Sequence, residues 1–201
     1  IRGISSTDYS ANQSKPIAIY IDEGIRGLAH PERDLFGKLD SIVKPEGILA
    51  TNTSSIPVIK MANATKRPDK VVGVHFFNPV PVLPLVEIVV SLVTSEETVA
   101  SVTDYASNTL GKKTIRSGDR AGFIVNALLI PYMVSAIRML ESGFASAEDI
   151  DDGMVNGCAH PMGPLRLTDT VGLDVTLAVA ESLYAEFREP HYAPPPLLQR
   201  M

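Results

Sequence analysis

Two polar clusters carry the side chains best suited to chemistry, and each sits at the end of a short apolar run. Asn52-Thr53-Ser54-Ser55 follows the run at residues 47–51, and His75-Phe76-Phe77-Asn78-Pro79 closes and follows a second at residues 71–76. Ligand sites in α/β sheets form outside the carboxyl ends of strands. A histidine there titrates near neutrality and can act as a general base. Glu87 comes 12 residues after His75, where Pro79, Pro81 and Pro84 turn the chain back into a further apolar run. A carboxylate so placed could accept a hydrogen bond from the imidazole and fix its tautomer. Taken singly, His75 reads equally well as a satisfied core histidine and Asn52 to Ser55 as a helix N-cap. Only their combination in one sheet points to catalysis.

What the chain lacks narrows the chemistry. No G-x-G-x-x-G occurs, so the usual phosphate-cradling turn of a dinucleotide fold is not in these residues. There is no His-x-x-x-His, carboxylate cluster or cysteine pair to hold a metal, and no G-x-S-x-G to suggest a serine hydrolase. The one cysteine, Cys158, cannot form an intrachain disulfide. With 18 basic against 23 acidic side chains the net charge is −5, and no basic stripe suited to nucleic acid is visible. Aromatic residues make up 6% with no tryptophan, a poor supply for base or sugar stacking.

The elements that must position these groups read in two halves. The chain has 201 residues, 45% hydrophobic and 20% charged, an ordinary globular balance. Up to residue 117, short apolar runs alternate with helical spacing. Strands are expected at residues 18–21, 47–51, 71–76 and 86–90, and helices at 32–43 and 57–64. A further helix is expected from a capping box at Thr94-Ser95-Glu96-Glu97 to about Leu110. Such alternation predicts a mainly parallel sheet with helices packed on it.

After residue 117 the strand signals cease. Helices are expected at residues 123–141, from a Ser146 cap to about Gly157, and at 173–187, before the chain loses pattern at His191-Tyr192-Ala193-Pro194-Pro195-Pro196. Residues 122–140 are apolar enough to raise a membrane span, but Asn126, Pro131, Ser135 and Arg138 favour a helix packed on protein. With no leader pattern at Ile1, a cytoplasmic protein is expected.

Several of these segments closely resemble the L-3-hydroxyacyl-CoA dehydrogenase family. They are Asn52-Thr53-Ser54-Ser55, His75-Phe76-Phe77-Asn78-Pro79-Val80-Pro81, Leu85-Val86-Glu87, Gly122-Phe123-Ile124-Val125-Asn126 and His160-Pro161-Met162-Gly163-Pro164, in family order and spacing. The tail Glu189-Pro190-His191-Tyr192 looks most like the bacterial branch acting on 3-hydroxybutyryl-CoA.

The resemblance implies NAD-dependent oxidation of a short (S)-3-hydroxyacyl-CoA to the 3-oxoacyl-CoA, and the reverse, in fatty acid metabolism. NAD is the implied cofactor, with NADP not separated from it by these residues. His75 would be the acid–base catalyst, Glu87 its electrostatic support, and Ser54 a hydrogen-bond partner of the reacting oxygen lying against the nicotinamide. Asn126 would hold the substrate, and Asn78 would contact the cofactor side of the cleft. The helical half would form a homodimer.

The implied architecture is α/β plus all-α: a Rossmann-type NAD-binding sheet at residues 1–117 and a helical substrate and dimerisation domain at 118–201. In the family a βαβ unit with the glycine fingerprint comes first, and the chain is expected to lack it. Glu23 is the nearest match to a family glutamate beside the cofactor, and Ala127 stands where many members have arginine. The alternative is a catalytically inactive remnant that dimerises or binds acyl-CoA only.

Overall fold

The computed structural model describes residues 17–20, 31–54 and 56–201. The described residues divide into two compact units, Ile1–Phe123 and Ile124–Met201. The first is built on a five-stranded sheet whose spatial order follows the chain: β1 (Ile17–Tyr20), β2 (Ile48–Thr51), β3 (Val71–Phe76), β4 (Leu85–Val90) and β5 (Lys113–Gly118). β1 pairs with β2, β2 with β3 and β4 with β5 in parallel; β3 and β4 alone are antiparallel. The expectation of a mainly parallel sheet holds.

β2 and β3 are apolar and buried along nearly their whole length because both sheet faces are covered. Alternate residues feed two cores. Leu49, Val71 and Val89 face one core, with Phe36 of α1 (Pro31–Ile42) and Val58 and Met61 of α2 (Val58–Ala62). Ile48, Ala50, Val72, Val74, Val86 and Ile88 face the other, with Val99 and Val102 of α3 (Glu96–Asp104). Gly73 has no room for a side chain between β4 and α2. A Cβ there would lie 2.6 Å from the Val89 Cβ and 3.1 Å from Val58 Cγ2.

Several boundaries differ from expectation. The cap of α3 is Ser95, whose hydroxyl accepts from the Thr98 N–H at 3.2 Å. The Thr94 hydroxyl instead donates to the Val71 carbonyl at 2.8 Å, joining the helix start to the sheet. α3 also ends early, passing into a π-helical turn at Tyr105–Thr109. β5 carries no clear strand signal in the sequence, because charged Lys113 and Arg116 interrupt its apolar pattern at the sheet edge.

The second unit is helical: α4 (Val125–Glu141), α5 (Ala147–Cys158), α6 (Pro164–Val171), α7 (Leu173–Phe187) and α8 (Pro196–Arg200). α4 touches each of the other four. Ser146 caps α5 as expected, its hydroxyl accepting from the Asp149 N–H at 3.1 Å. The segment expected to lose order is folded instead. Arg138 of α4 donates to the carbonyls of Pro190, at 2.7 Å, and Ala193. Glu141 accepts from the Leu197 N–H at 2.8 Å at the start of α8. No helix among the described residues is long and apolar enough to cross a membrane.

Candidate active site

The carboxyl end of β2 runs into a loop shaped by its own hydroxyls. Thr51 Oγ1 accepts from the Thr53 N–H at 3.3 Å, and Thr53 Oγ1 accepts from the Ile56 N–H at 2.8 Å. Turns of this kind are the common local use of threonine. Asn52 then ties the loop to the neighbouring strand, its Oδ1 accepting from the Phe76 N–H at 2.8 Å. Between these anchors Ser54 reaches β3, with its Oγ 3.0 Å from His75 Nε2.

The hairpin does the rest. In the antiparallel β3–β4 register His75 stands directly opposite Glu87, a pairing that brings side chains on one face within contact. His75 Nδ1 lies 2.7 Å from Glu87 Oε2. A carboxylate only accepts, so Nδ1 carries the proton and Nε2 keeps a lone pair, to which the Ser54 hydroxyl donates. The arrangement is buried: His75 is 3% exposed and Glu87 0%. Phe77 and Phe123 flank the imidazole edge to face, at ring-centroid distances of 4.7 and 5.3 Å.

Three of the residues singled out from the sequence, Ser54, His75 and Glu87, thus form one hydrogen-bonded chain. Asn78 is exposed in the loop after β3, and Asn126 is the second residue of α4 in the other unit. Glu23 and Ser55 lie outside the described residues. His160 Nδ1 lies 3.0 Å from the Tyr132 hydroxyl, within hydrogen-bond distance. That phenol is pushed above its usual value by burial and by the nearby Asp151 and Cys158. Asn52 and Asp119 are not marked by local sequence pattern as individual contributors to the site; Asp119 accepts from the Val58 and Ile59 N–H groups at 2.7 Å each. Only folding reveals this bond, since it spans about 60 residues. Among the described residues no group of three His, Cys, Asp or Glu side chains is placed to hold a metal.

A sheet of this kind, with a Ser–His–Glu hydrogen-bonded chain at the carboxyl end of its central strands and a helical unit after it, is compatible with the frame of an α/β dehydrogenase. Residues 7–120 match the family model described as 3-hydroxyacyl-CoA dehydrogenase, NAD binding domain, and residues 122–201 match that of the C-terminal domain. The chain belongs to the 3-hydroxyacyl-CoA dehydrogenase family.

It is 53% identical over 195 residues to the 3-hydroxybutyryl-CoA dehydrogenase of Mycobacterium tuberculosis, covering 96% of this chain and 66% of that protein. Against the Clostridioides difficile 3-hydroxybutyryl-CoA dehydrogenase the identity is 42%, covering 98% of this chain and 69% of the relative. Among solved structures it resembles M. tuberculosis FadB2, with a TM-score of 0.87 at 53% identity over 91% of this chain and 64% of that one. The (S)-3-hydroxybutyryl-CoA dehydrogenase PaaH1 of Ralstonia eutropha gives a TM-score of 0.84 at 44% identity, over 91% and 64% of the two chains. The chain spans about two thirds of the length of the curated relatives it matches.

Proposed function

We propose that this chain carries the acid–base machinery of an NAD-dependent 3-hydroxyacyl-CoA dehydrogenase, interconverting a short (S)-3-hydroxyacyl-CoA and its 3-oxo thioester. The observation that carries this reading is the Ser54–His75–Glu87 chain, at 3.0 and 2.7 Å, at the carboxyl end of β2 and β3.

The residues suit the work. In the oxidative direction His75 Nε2 takes the proton of the substrate 3-hydroxyl, and Glu87 Oε2 steadies the positive charge that arises on the ring. In the reductive direction the imidazolium returns that proton to the 3-oxo oxygen. With substrate present the Ser54 hydroxyl would turn its hydrogen bond from Nε2 to the reacting oxygen, freeing the Nε2 lone pair for the substrate proton and confining the substrate to a reactive orientation. Asn126 would help hold the substrate, and Asn78 would contact the cofactor side.

NAD fits this end of the sheet because it offers hydroxyl and amide donors beside a buried imidazole, and when bound it supplies the hydride acceptor that no side chain here can provide. The alternative of an inactive acyl-CoA-binding remnant draws on the lack of a G-x-G-x-x-G in these residues; the assembled Ser54, His75 and Glu87 favour the catalytic reading over it.

The test is NADH consumption at saturating acetoacetyl-CoA by the purified chain, with NADPH in parallel. Turnover in the wild type that His75→Ala abolishes is the expected result; turnover that survives in the variant removes His75 from the role. We propose further that the helical unit forms a homodimer in the cytoplasm. Light scattering at twice the chain mass, for both wild type and His75→Ala, is the expected result, and a monomer mass overturns it.

A further inference from the structure

Phe123 is the last residue of the first unit, and its backbone lies in the left-handed region at φ 49°, directly after Gly122 at φ 73°. Glycine enters that region freely, whereas the Cβ of a phenylalanine crowds its own carbonyl there. Such a conformation persists only where its surroundings hold it, and it clusters at functional sites.

Two sets of contacts hold it here. On the backbone side the Phe123 N–H donates to the Arg120 carbonyl at 3.0 Å, and the Arg120 N–H to that of Gly118 at 3.0 Å. Asp119, in the same segment, is bound at 2.7 Å to both the Val58 and Ile59 N–H groups, just after the loop that carries Ser54. On the side-chain side the ring is buried in the cluster of Val58, Met61, Val71 and Val89 and makes a T-shaped contact with the His75 imidazole at 5.3 Å and 65°. An ordinary negative φ would redirect the Cα–Cβ bond and carry the ring off the imidazole.

The imidazole has a freedom that its hydrogen bonds leave open. Ser54 and Glu87 hold the two ring nitrogens and the Cβ holds the ring at a third point, but each hydrogen bond tolerates a range of angles. Packing against the ring narrows that range. Phe77 and Phe123 supply it, and edge-to-face contacts of this kind have a preferred angle.

We propose that Phe123 is a positioning residue for His75, its ring delivered by the left-handed turn so that the imidazole holds both hydrogen bonds at once. The catalytic consequence rests on the reading of His75 given above; the structural claim does not. An aliphatic side chain of similar bulk fills the cluster yet lacks the flat edge, so volume and positioning can be separated.

The experiment uses the full chain with ¹⁵N-labelled histidine, the His75 signals being identified by their loss in His75→Gln. The wild type and Phe123→Tyr are expected to show one narrow set of His75 signals with Nδ1 protonated. Phe123→Leu, and Phe123→Met in case leucine impairs folding, are expected to show broadened signals averaged between tautomers. In turnover, Phe123→Leu is expected to lose about tenfold to a hundredfold in kcat with KM for acetoacetyl-CoA unchanged, and Phe123→Tyr to restore it. His75 signals in folded Phe123→Leu or Phe123→Met that superimpose on those of the wild type overturn the proposal. The imidazole spectrum decides this whether or not the chain turns over, whereas loss of wild-type turnover bears on the proposed function alone.

Discussion

Two side chains that carry charge readily in water, His75 and Glu87, lie almost wholly out of it, 3% and 0% exposed. Taking a carboxylate from water costs several kcal/mol, which a hydrogen bond from a neutral imidazole at best repays. Stability is therefore a poor reason for placing them there. Control of the tautomer is a better one, because a carboxylate at Nδ1 leaves Nε2 free to accept. Glu87→Gln isolates that effect. It keeps the shape and removes the charge, but its amide can donate to Nδ1 and so favour the unproductive tautomer. The expected outcome is a kcat lower by about 10²–10⁴-fold with KM nearly unchanged. The melting temperature is expected to stay level or rise, since a buried charge is gone. Unchanged turnover, measured by NADH consumption, would show that the carboxylate does not act on the imidazole.

The next scale is the hairpin that sets these two groups opposite each other. Its register places Gly73 across from Val89, two positions before the His75–Glu87 pair. With 2.6 Å between a notional Cβ and the Val89 Cβ, even a methyl group forces the two strands apart or shifts α2 through Val58. Gly73→Ala is expected to destabilise the chain by about 1–3 kcal/mol, the usual cost of overfilling a packed core. Urea unfolding checks this. A shift in midpoint at constant slope is the expected form, because the compactness of neither state changes. Turnover should fall as well, since any shift between the strands is felt at the 2.7 Å His75–Glu87 bond.

At the scale of the whole molecule, Arg67 and Asp40 fasten the end of α1 to the segment before β3. Arg67 Nε donates to Asp40 Oδ1 at 2.7 Å, and its guanidinium also reaches the carbonyls of Asp40, Val43 and Lys44. Burial works to raise the Asp40 carboxyl, but the Lys66 N–H and the Arg67 guanidinium outweigh it and hold the group below the usual carboxylate range. A carboxyl depressed in the folded state adds stability above its unfolded value, near pH 4, and that stability drains away as pH falls through the lower folded value. Acid unfolding of the wild type should therefore steepen below about pH 4. Asp40→Asn is expected to be less stable at pH 7 yet to lose less on acidification. Parallel slopes for the two proteins in urea titrations from neutral pH downward would contradict this.

Much of the site was legible before any fold was known. β2 and β3 declare themselves because strands covered on both faces must be apolar throughout, and each ends in polar residues where the covering stops. The prolines between His75 and Glu87 signalled a chain reversal, and a reversal of that length brings the two opposite each other. Other features left no local mark. β5, with Lys113 and Arg116 exposed, is a strand only because β4 offers it a partner. The Pro-rich tail is ordered by Arg138 and Glu141, side chains more than 50 residues away, which give it bonds that its own composition does not predict.

Nor could spacing show that Phe123 departs from helical backbone, or that Asp119 reaches the start of α2. The sequence by itself determined which groups are capable of acid–base chemistry, and which runs must be buried, because both follow from side-chain type and local pattern. Only the tertiary structure decided how the imidazole is held, because that depends on donors, acceptors and ring faces meeting across long stretches of chain, where no periodicity records them.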